Sequence, residues 1–224
     1  MYFKSRAEAG RILAKKLTKY QKENIAVVSL SEGGTIVGAQ IAMRLHGSLS
    51  VLLTESIYLP GEHEAIAAVT SEGTFTKNNM FSVGQLEEYM AEYHGYIDEQ
   101  RTSKMHQMNL LTSHDGEINK KNLRHHVVIL VSDGLTNGFS LSVAEDFLKT
   151  VAIKKLIIVT PVASVDAVDR MHLVADEIYC LDVKPNYIST NHYYDDNTIP
   201  TADDMFLVMK RISTNWRVEP LLKC

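Results

Sequence analysis

Cysteine is scarce in this chain: 224 residues carry only Cys180 and Cys224. Neither belongs to a CxxC pair, so a structural zinc or a redox dithiol has no support. Cys180, at the end of an apolar run, is expected to be buried and inert. Long hydrophobic runs are missing too. None approaches the roughly 18 residues that a membrane span requires, and no basic-then-apolar leader opens the sequence. The expectation is a cytoplasmic protein with no membrane partner. Basic runs are also absent and the net charge is -4, which argues against a nucleic-acid partner held by phosphate neutralisation. There is no internal repeat and no low-complexity segment. No Ser-His-Asp or Cys-His order stands in a nucleophile-elbow context, which argues against hydrolysis by that route.

What is present is an ordinary globular balance, 45% hydrophobic and 22% charged, long enough for one full core. Ser5-Arg-Ala-Glu8 has capping-box spacing, and Ala9, Ile12, Leu13 and Leu17 continue at helical intervals toward Tyr20. Residues 25–30 read as a first core strand. Ser31-Glu-Gly-Gly34 follows, then a helix striped by Val37, Ile41, Ala42 and Leu45 that ends at His46-Gly47, then a strand over 49–53. This is a βαβ unit with glycines at the strand exit.

Residues 54–80 are less regular, with a turn at Leu59-Pro-Gly-Glu62 and a short strand over 65–69. Ser82-Val-Gly-Gln85 again has capping-box spacing, and Val83, Leu86, Met90, Tyr93 and Ile97 extend one long helix toward Thr102. That helix is expected to pack over the site or against a second subunit, and the expected assembly is a homodimer. His114-Asp-Gly116 reads as a turn. Strands are expected over 127–131, 156–159 and 177–181, and Ser164 and Thr201 are placed to cap the last two helices. Five apolar strands separated by helices predict an α/β fold: a single domain over 1–224 with a doubly wound, mostly parallel sheet. Residues 54–125 are expected to form a lid or hood, and 184–224 a C-terminal extension.

In such sheets ligands sit outside the carboxyl ends of the strands. That rule places loops 31–34, 54–56, 132–140 and 160–164 on one rim. The segment Val127-Val-Ile-Leu-Val-Ser-Asp-Gly-Leu-Thr-Asn-Gly-Phe-Ser140 is the most informative. An apolar strand runs into a turn bracketed by Gly134 and Gly138, with Ser140 placed to cap a helix. Backbone amides at such a helix start can hold a phosphate. Asp133 is either a ligand-binding carboxylate or a turn residue bonding nearby amides. Arg6 and Arg11 could meet Glu8 or a C-terminal carboxylate. Arg101 and Lys104 could reach the crevice, and His192 with Asp195 or Asp196 could hold a metal.

The same segment resembles the diphosphoribosyl-pyrophosphate motif of type I phosphoribosyltransferases. The wider chain resembles a small, poorly characterised bacterial branch of that family. Phe3-Lys-Ser-Arg-Ala-Glu-Ala-Gly-Arg11, Leu30-Ser-Glu-Gly-Gly34, Ala65-Ile-Ala-Ala-Val69, Ala175-Asp-Glu-Ile-Tyr-Cys-Leu181 and Tyr193-Tyr-Asp-Asp196 carry the likeness in a consistent order. The resemblance implies that Ser132 and Asp133 occupy the ribose-binding acidic pair, with Asp133 orienting the sugar for catalysis. It also implies that Leu135, Thr136, Asn137, Gly138, Phe139 and Ser140 cradle the 5-phosphate. Ser31, Glu32, Gly33 and Gly34 would form the pyrophosphate loop. Magnesium, held mainly through substrate phosphates rather than by protein ligands, would be the cofactor.

Several positions depart from the family pattern. Ser132 stands in place of the first acid and Asn137 in place of the usual threonine before Gly138. Glu32 replaces an arginine, and Thr54 and Glu55 occupy the place of a basic pair. Two carboxylates beside a polyanion oppose its binding. Two readings therefore stand. One is transfer of a phosphoribosyl group from 5-phosphoribosyl diphosphate to a nitrogenous base with release of pyrophosphate. The other is a non-catalytic binder of a phosphorylated ribose, nucleotide or anion with a regulatory role.

Overall fold

All five of the predicted apolar runs become parallel strands. The computed structural model describes residues 2–111 and 118–215; the predicted turn at His114-Asp-Gly116 and Cys224 lie outside them. The strands are β1 (Ile25–Ser29), β2 (Ser48–Val51), β6 (Val127–Val131), β7 (Lys155–Ser164) and β8 (Glu177–Lys184), in the order β2-β1-β6-β7-β8. The chain steps outward from β1 to β2 and then returns to the other side of β1 with β6. The switch point therefore lies between β1 and β6, where an open α/β sheet presents its crevice.

Both faces of the sheet are covered, which explains why the strands read as continuous apolar runs. Alternate residues divide between two cores. Val27, Ile129 and Ile157 face α1 (Arg6–Lys16), α2 (Glu32–Leu45) and α8 (Ala202–Asn215). Val28, Leu130 and Ile158 face α6 (Phe139–Leu148) and α7 (Val165–Val174). Three predicted caps form: Ser5 Oγ accepts from the Glu8 amide, Ser164 Oγ from Ala167, and Thr201 Oγ1 from Asp204.

Between β2 and β6 lies a second, antiparallel sheet of β3 (Thr54–Ile57), β4 (Ala67–Thr70) and β5 (Phe75–Lys77). The expected rim loop at 54–56 is thus part of a strand. The predicted long helix is in fact two, α3 (Val83–Glu92) and α4 (His94–Leu111), with the Ser82–Gln85 capping box in place. The break at Tyr93 lets Tyr89, Met90, Tyr96, Ile97 and Met108 share one small core with Ile57, Leu59, Ile66 and Val69. A short helix, α5 (Lys120–Leu123), precedes β6.

Two further expectations are corrected. The first helix stops at Lys16 and continues only as a single 3-10 turn, Thr18–Tyr20. Residues 160–164 are not a loop, because β7 runs on to Ser164 and pairs with β8 as far as Lys184. Cys180 is half-buried; its thiol donates to the Asp182 carbonyl at 3.2 Å, and burial pushes its pKa up, so it is poorly reactive.

Candidate ribose-phosphate site

Strand β6 ends at Val131, and the chain turns at once. Ser132 Oγ donates to the Gly134 carbonyl at 2.9 Å and accepts from the Gly134 amide at 3.3 Å. This small hydroxyl builds the turn from within. Leu135 then makes a bridge to Ala163: its amide donates to the Val162 carbonyl at 3.1 Å, and its side chain is buried. The Phe139 amide is likewise taken, by Asn137 Oδ1 at 3.2 Å. Of the six expected cradle residues, Leu135 and Phe139 therefore have no amide to offer. The amides of Thr136, Asn137, Gly138 and Ser140 have no hydrogen bond to any described residue.

Those amides stand at the start of α6, whose N-cap is Gly138. No side chain caps the helix there, and no acidic residue lies in its first turn. Ser140 is therefore not the cap that its position predicted; it falls inside the helix. Apart from the Phe139 amide, which Asn137 takes, the donors around this helix start are open and no acidic side chain offsets the positive end of its dipole.

The other strand exit is built differently. Helix α2 begins at Glu32, so Gly33 and Gly34 belong to its first turn and not to a loop. Ser31 is its N-cap: Oγ accepts from the Gly34 amide at 3.0 Å and donates to Asp133 Oδ1 at 2.7 Å. Glu32 already offsets the helix dipole.

Asp133 is buried, and neither of its sequence readings anticipated its partner. Arg6 Nε donates to Asp133 Oδ2 at 2.7 Å, with the two side chains 1% and 9% exposed. Arg6 Nη2 donates to Asn191 Oδ1 at 2.5 Å, and its guanidinium carbon lies 4.6 Å from the centre of the Tyr194 ring. Tyr194 Oη donates to the Asp133 carbonyl at 2.5 Å. Burial, and then the Asp133 charge, push the Tyr194 phenol well above its ordinary value, so it stays a donor. Gly33 is required beneath this pair, since a Cβ there would run into the Asp133 carboxylate and Arg6 Nε.

Arg6 was placed by sequence near Glu8 or a C-terminal carboxylate. It instead crosses 127 residues to Asp133. A signal existed: an arginine one position after the Ser5 cap starts a helix whose face is otherwise apolar. Nothing in its spacing, however, named the partner. The segment over 187–196 is held down by the N-terminal chain, with Phe3 paired to Tyr194 and the Asp195 amide bonded to the Phe3 carbonyl at 2.9 Å. His192 pairs with Tyr2 Oη at 2.9 Å. Among the described residues no group of three or more His, Cys, Asp or Glu could hold a metal.

Two clefts adjoin this network. One of about 240 Å³ is lined by Arg6, Ser31, Glu32, Gly33, Asp133 and the 189–191 turn. The other, about 140 Å³, has Glu32 and Glu55 with Leu53, Met108, Met205 and Phe206 among its walls. Lys104 Nζ lies 3.3 Å from Glu55 Oε2, whereas Arg101 is occupied with the Gly73 carbonyl and the Phe75 ring. Among the described residues no helix is long and apolar enough to cross a membrane.

Residues 2–196 match the Phosphoribosyl transferase domain. The chain belongs to that family. Two curated Mycobacterium tuberculosis proteins, from different strains and both named "Putative phosphoribosyl transferase", are 23% identical over 214 residues. The match takes in 93% of this chain and 46% of theirs, so the chain spans about half the length of these relatives. The crystal structure of TT1426 from Thermus thermophilus is similar in fold, with a TM-score of 0.70 and 24% identity over 93% of this chain and 98% of that one. The phosphoribosyl transferase match takes in Arg6, Asp133, Asn191 and Tyr194 and stops before α8.

Proposed function

We propose that this phosphoribosyl transferase domain binds a 5-phosphoribosyl compound as a ligand-sensing protein, with the 5-phosphate seated on the amides of Thr136, Asn137, Gly138 and Ser140. The observation that carries this reading is that these four amides stand open at an uncapped helix start. Phosphate oxygens satisfy such donors without any side-chain charge. In this reading the described residues within 54–125 are the hood over the site, and those within 184–224 are an extension whose first part roofs the ribose cleft.

Turnover is disfavoured on the pyrophosphate side. Glu32 and Glu55 line one cleft there, and two carboxylates oppose a polyanion. A second reading is transfer from 5-phosphoribosyl diphosphate to a nitrogenous base, with pyrophosphate leaving. It is favoured by Lys104, which offsets the Glu55 charge. Magnesium would be held mainly through substrate phosphates, with the exposed Glu32 carboxylate at the cleft wall as a hard oxygen ligand. There it would neutralise phosphate charge. The homodimer belongs to the same proposal.

Calorimetry with ribose 5-phosphate and with 5-phosphoribosyl diphosphate, each with and without magnesium, tests both readings. Binding of ribose 5-phosphate, weakened about tenfold or more by Thr136→Glu with an unchanged melting temperature, is the expected result; tenfold corresponds to about 1.4 kcal/mol. Thr136 is exposed, so the substitution adds charge outside the core. Magnesium-dependent release of pyrophosphate in the presence of a base would establish the transferase instead. No binding of any phosphoribosyl compound would sink both.

A further inference from the structure

Residues 134–140 contain no basic side chain. A cation reaches them from α7. The stem of Arg170 lies so close to Gly138 that a Cβ at that glycine would run into Arg170 Cβ and Cγ. Gly138 is both the N-cap of α6 and one of the four residues with open amides. The turn and α7 are fastened together: the Ser164 amide donates to the Leu135 carbonyl at 2.9 Å, and Ser164 Oγ donates to the Thr136 carbonyl at 2.6 Å. The same Oγ caps α7. The fold therefore anchors Arg170 beside the amides and leaves its arm to turn.

The tip of that arm is tied elsewhere in this structure. Arg170 Nη2 donates to Glu145 Oε2, seven residues beyond Gly138. Seven residues are nearly two full turns, which puts Glu145 on the face of α6 that carries Gly138, about 10 Å further along. The arm thus runs down α6, away from its open end. The tie is incomplete, because Arg170 Nε is buried without a hydrogen-bond partner among the described residues. It is also weak: the two side chains are 25% and 34% exposed, and an ion pair so open to water holds loosely. The neighbouring carboxylate, Asp146, is engaged by Lys149.

A phosphate monoester on the four amides changes this balance. It brings close to two negative charges and three strong acceptor oxygens, where Glu145 offers one charge. A guanidinium matches phosphate oxygens with parallel donors. We propose that Arg170 is a phosphate-binding arm: a 5-phosphate at the α6 start draws the guanidinium off Glu145 and onto its oxygens. This rests on the reading of the α6 start as a 5-phosphate seat and adds to that seat a charged group, which its neutral amides lack. Glu145 is then the competitor that holds the arm back while the seat is empty.

The test is calorimetry with ribose 5-phosphate on the full chain, using Arg170→Met, Glu145→Gln and the double variant. Methionine keeps a stem against Gly138 and removes the charge. Arg170→Met should weaken binding about tenfold or more, as loss of a bond to a charged group does. Glu145→Gln releases the arm and should tighten binding severalfold. In the double variant that gain should vanish, and binding should match Arg170→Met. A purely structural role would loosen the α6–α7 contact in both single variants and tighten binding in neither. If Arg170→Met does not fold, Arg170→Gln, which can still bond Glu145, takes its place in the cycle. Unchanged or weaker binding by Glu145→Gln overturns the proposal. So does a gain of equal size with and without Arg170, which would mark Glu145 as a repelling charge and nothing more. Wild-type affinity in Arg170→Met overturns the arm while leaving the seat standing. Failure of the wild type to bind ribose 5-phosphate overturns the seat and the arm together.

Discussion

Helices α2 and α6 leave neighbouring strands, β1 and β6, by turns that look alike in sequence: an apolar run, a serine, an acidic residue and glycines. Their first turns are opposite in capacity. At α2, Ser31 fills the cap, Glu32 offsets the dipole, and the Asp133 carboxylate closes on the Ser31 hydroxyl. At α6, Gly138 caps nothing, and four nearby amides are open. A helix start binds an anion only to the extent that its own side chains have left it unsatisfied.

The comparison can be broken from the α2 side. Arg6→Met should have the largest effect, leaving Asp133 buried without its cation. Removing one partner of a buried pair costs about 3–5 kcal/mol, read as a lower urea midpoint, and the loss should extend to the packing of the 187–196 segment. Ser31→Ala opens the α2 start to resemble that of α6. It should cost about 1–2 kcal/mol in thermal unfolding, through the lost cap, and free the Gly34 amide. Glu32→Lys should change stability least, since the side chain is exposed. It should raise affinity for inorganic pyrophosphate severalfold, measured by calorimetry, by replacing a repelling charge with an attracting one. If pyrophosphate binding does not respond to Glu32→Lys, the charge at the α2 start is not what separates the two turns.

Much of the fold was legible from apolar runs, because a sheet buried on both faces leaves little choice of residue. The caps at Ser5, Ser164 and Thr201 were legible for a local reason: a cap bonds an amide two or three residues away. The break at Tyr93 was not, since helical spacing continues across it and only the shared hood core decides where the chain bends. The extension of β7 to Ser164 was hidden for a similar reason. Its added residues gain their ladder partners from β8, and pairing is not visible in one strand alone.

At the site, residues 132–140 were recognisable as a phosphate-type turn, but which of its amides remain available was not. That depends on Val162, which takes the Leu135 amide, and on the rotamer of Asn137, which takes that of Phe139. The sequence by itself determined the α/β class, the strand–glycine–helix turn and its place at a strand's carboxyl end, because these follow from local pattern and backbone geometry. Only the tertiary structure decided that Arg6 meets Asp133 and that Asn191 and Tyr194 close over them. The hydrogen-bonded partners among them lie up to 185 residues apart, and a buried charge finds its counter-charge in space rather than in sequence.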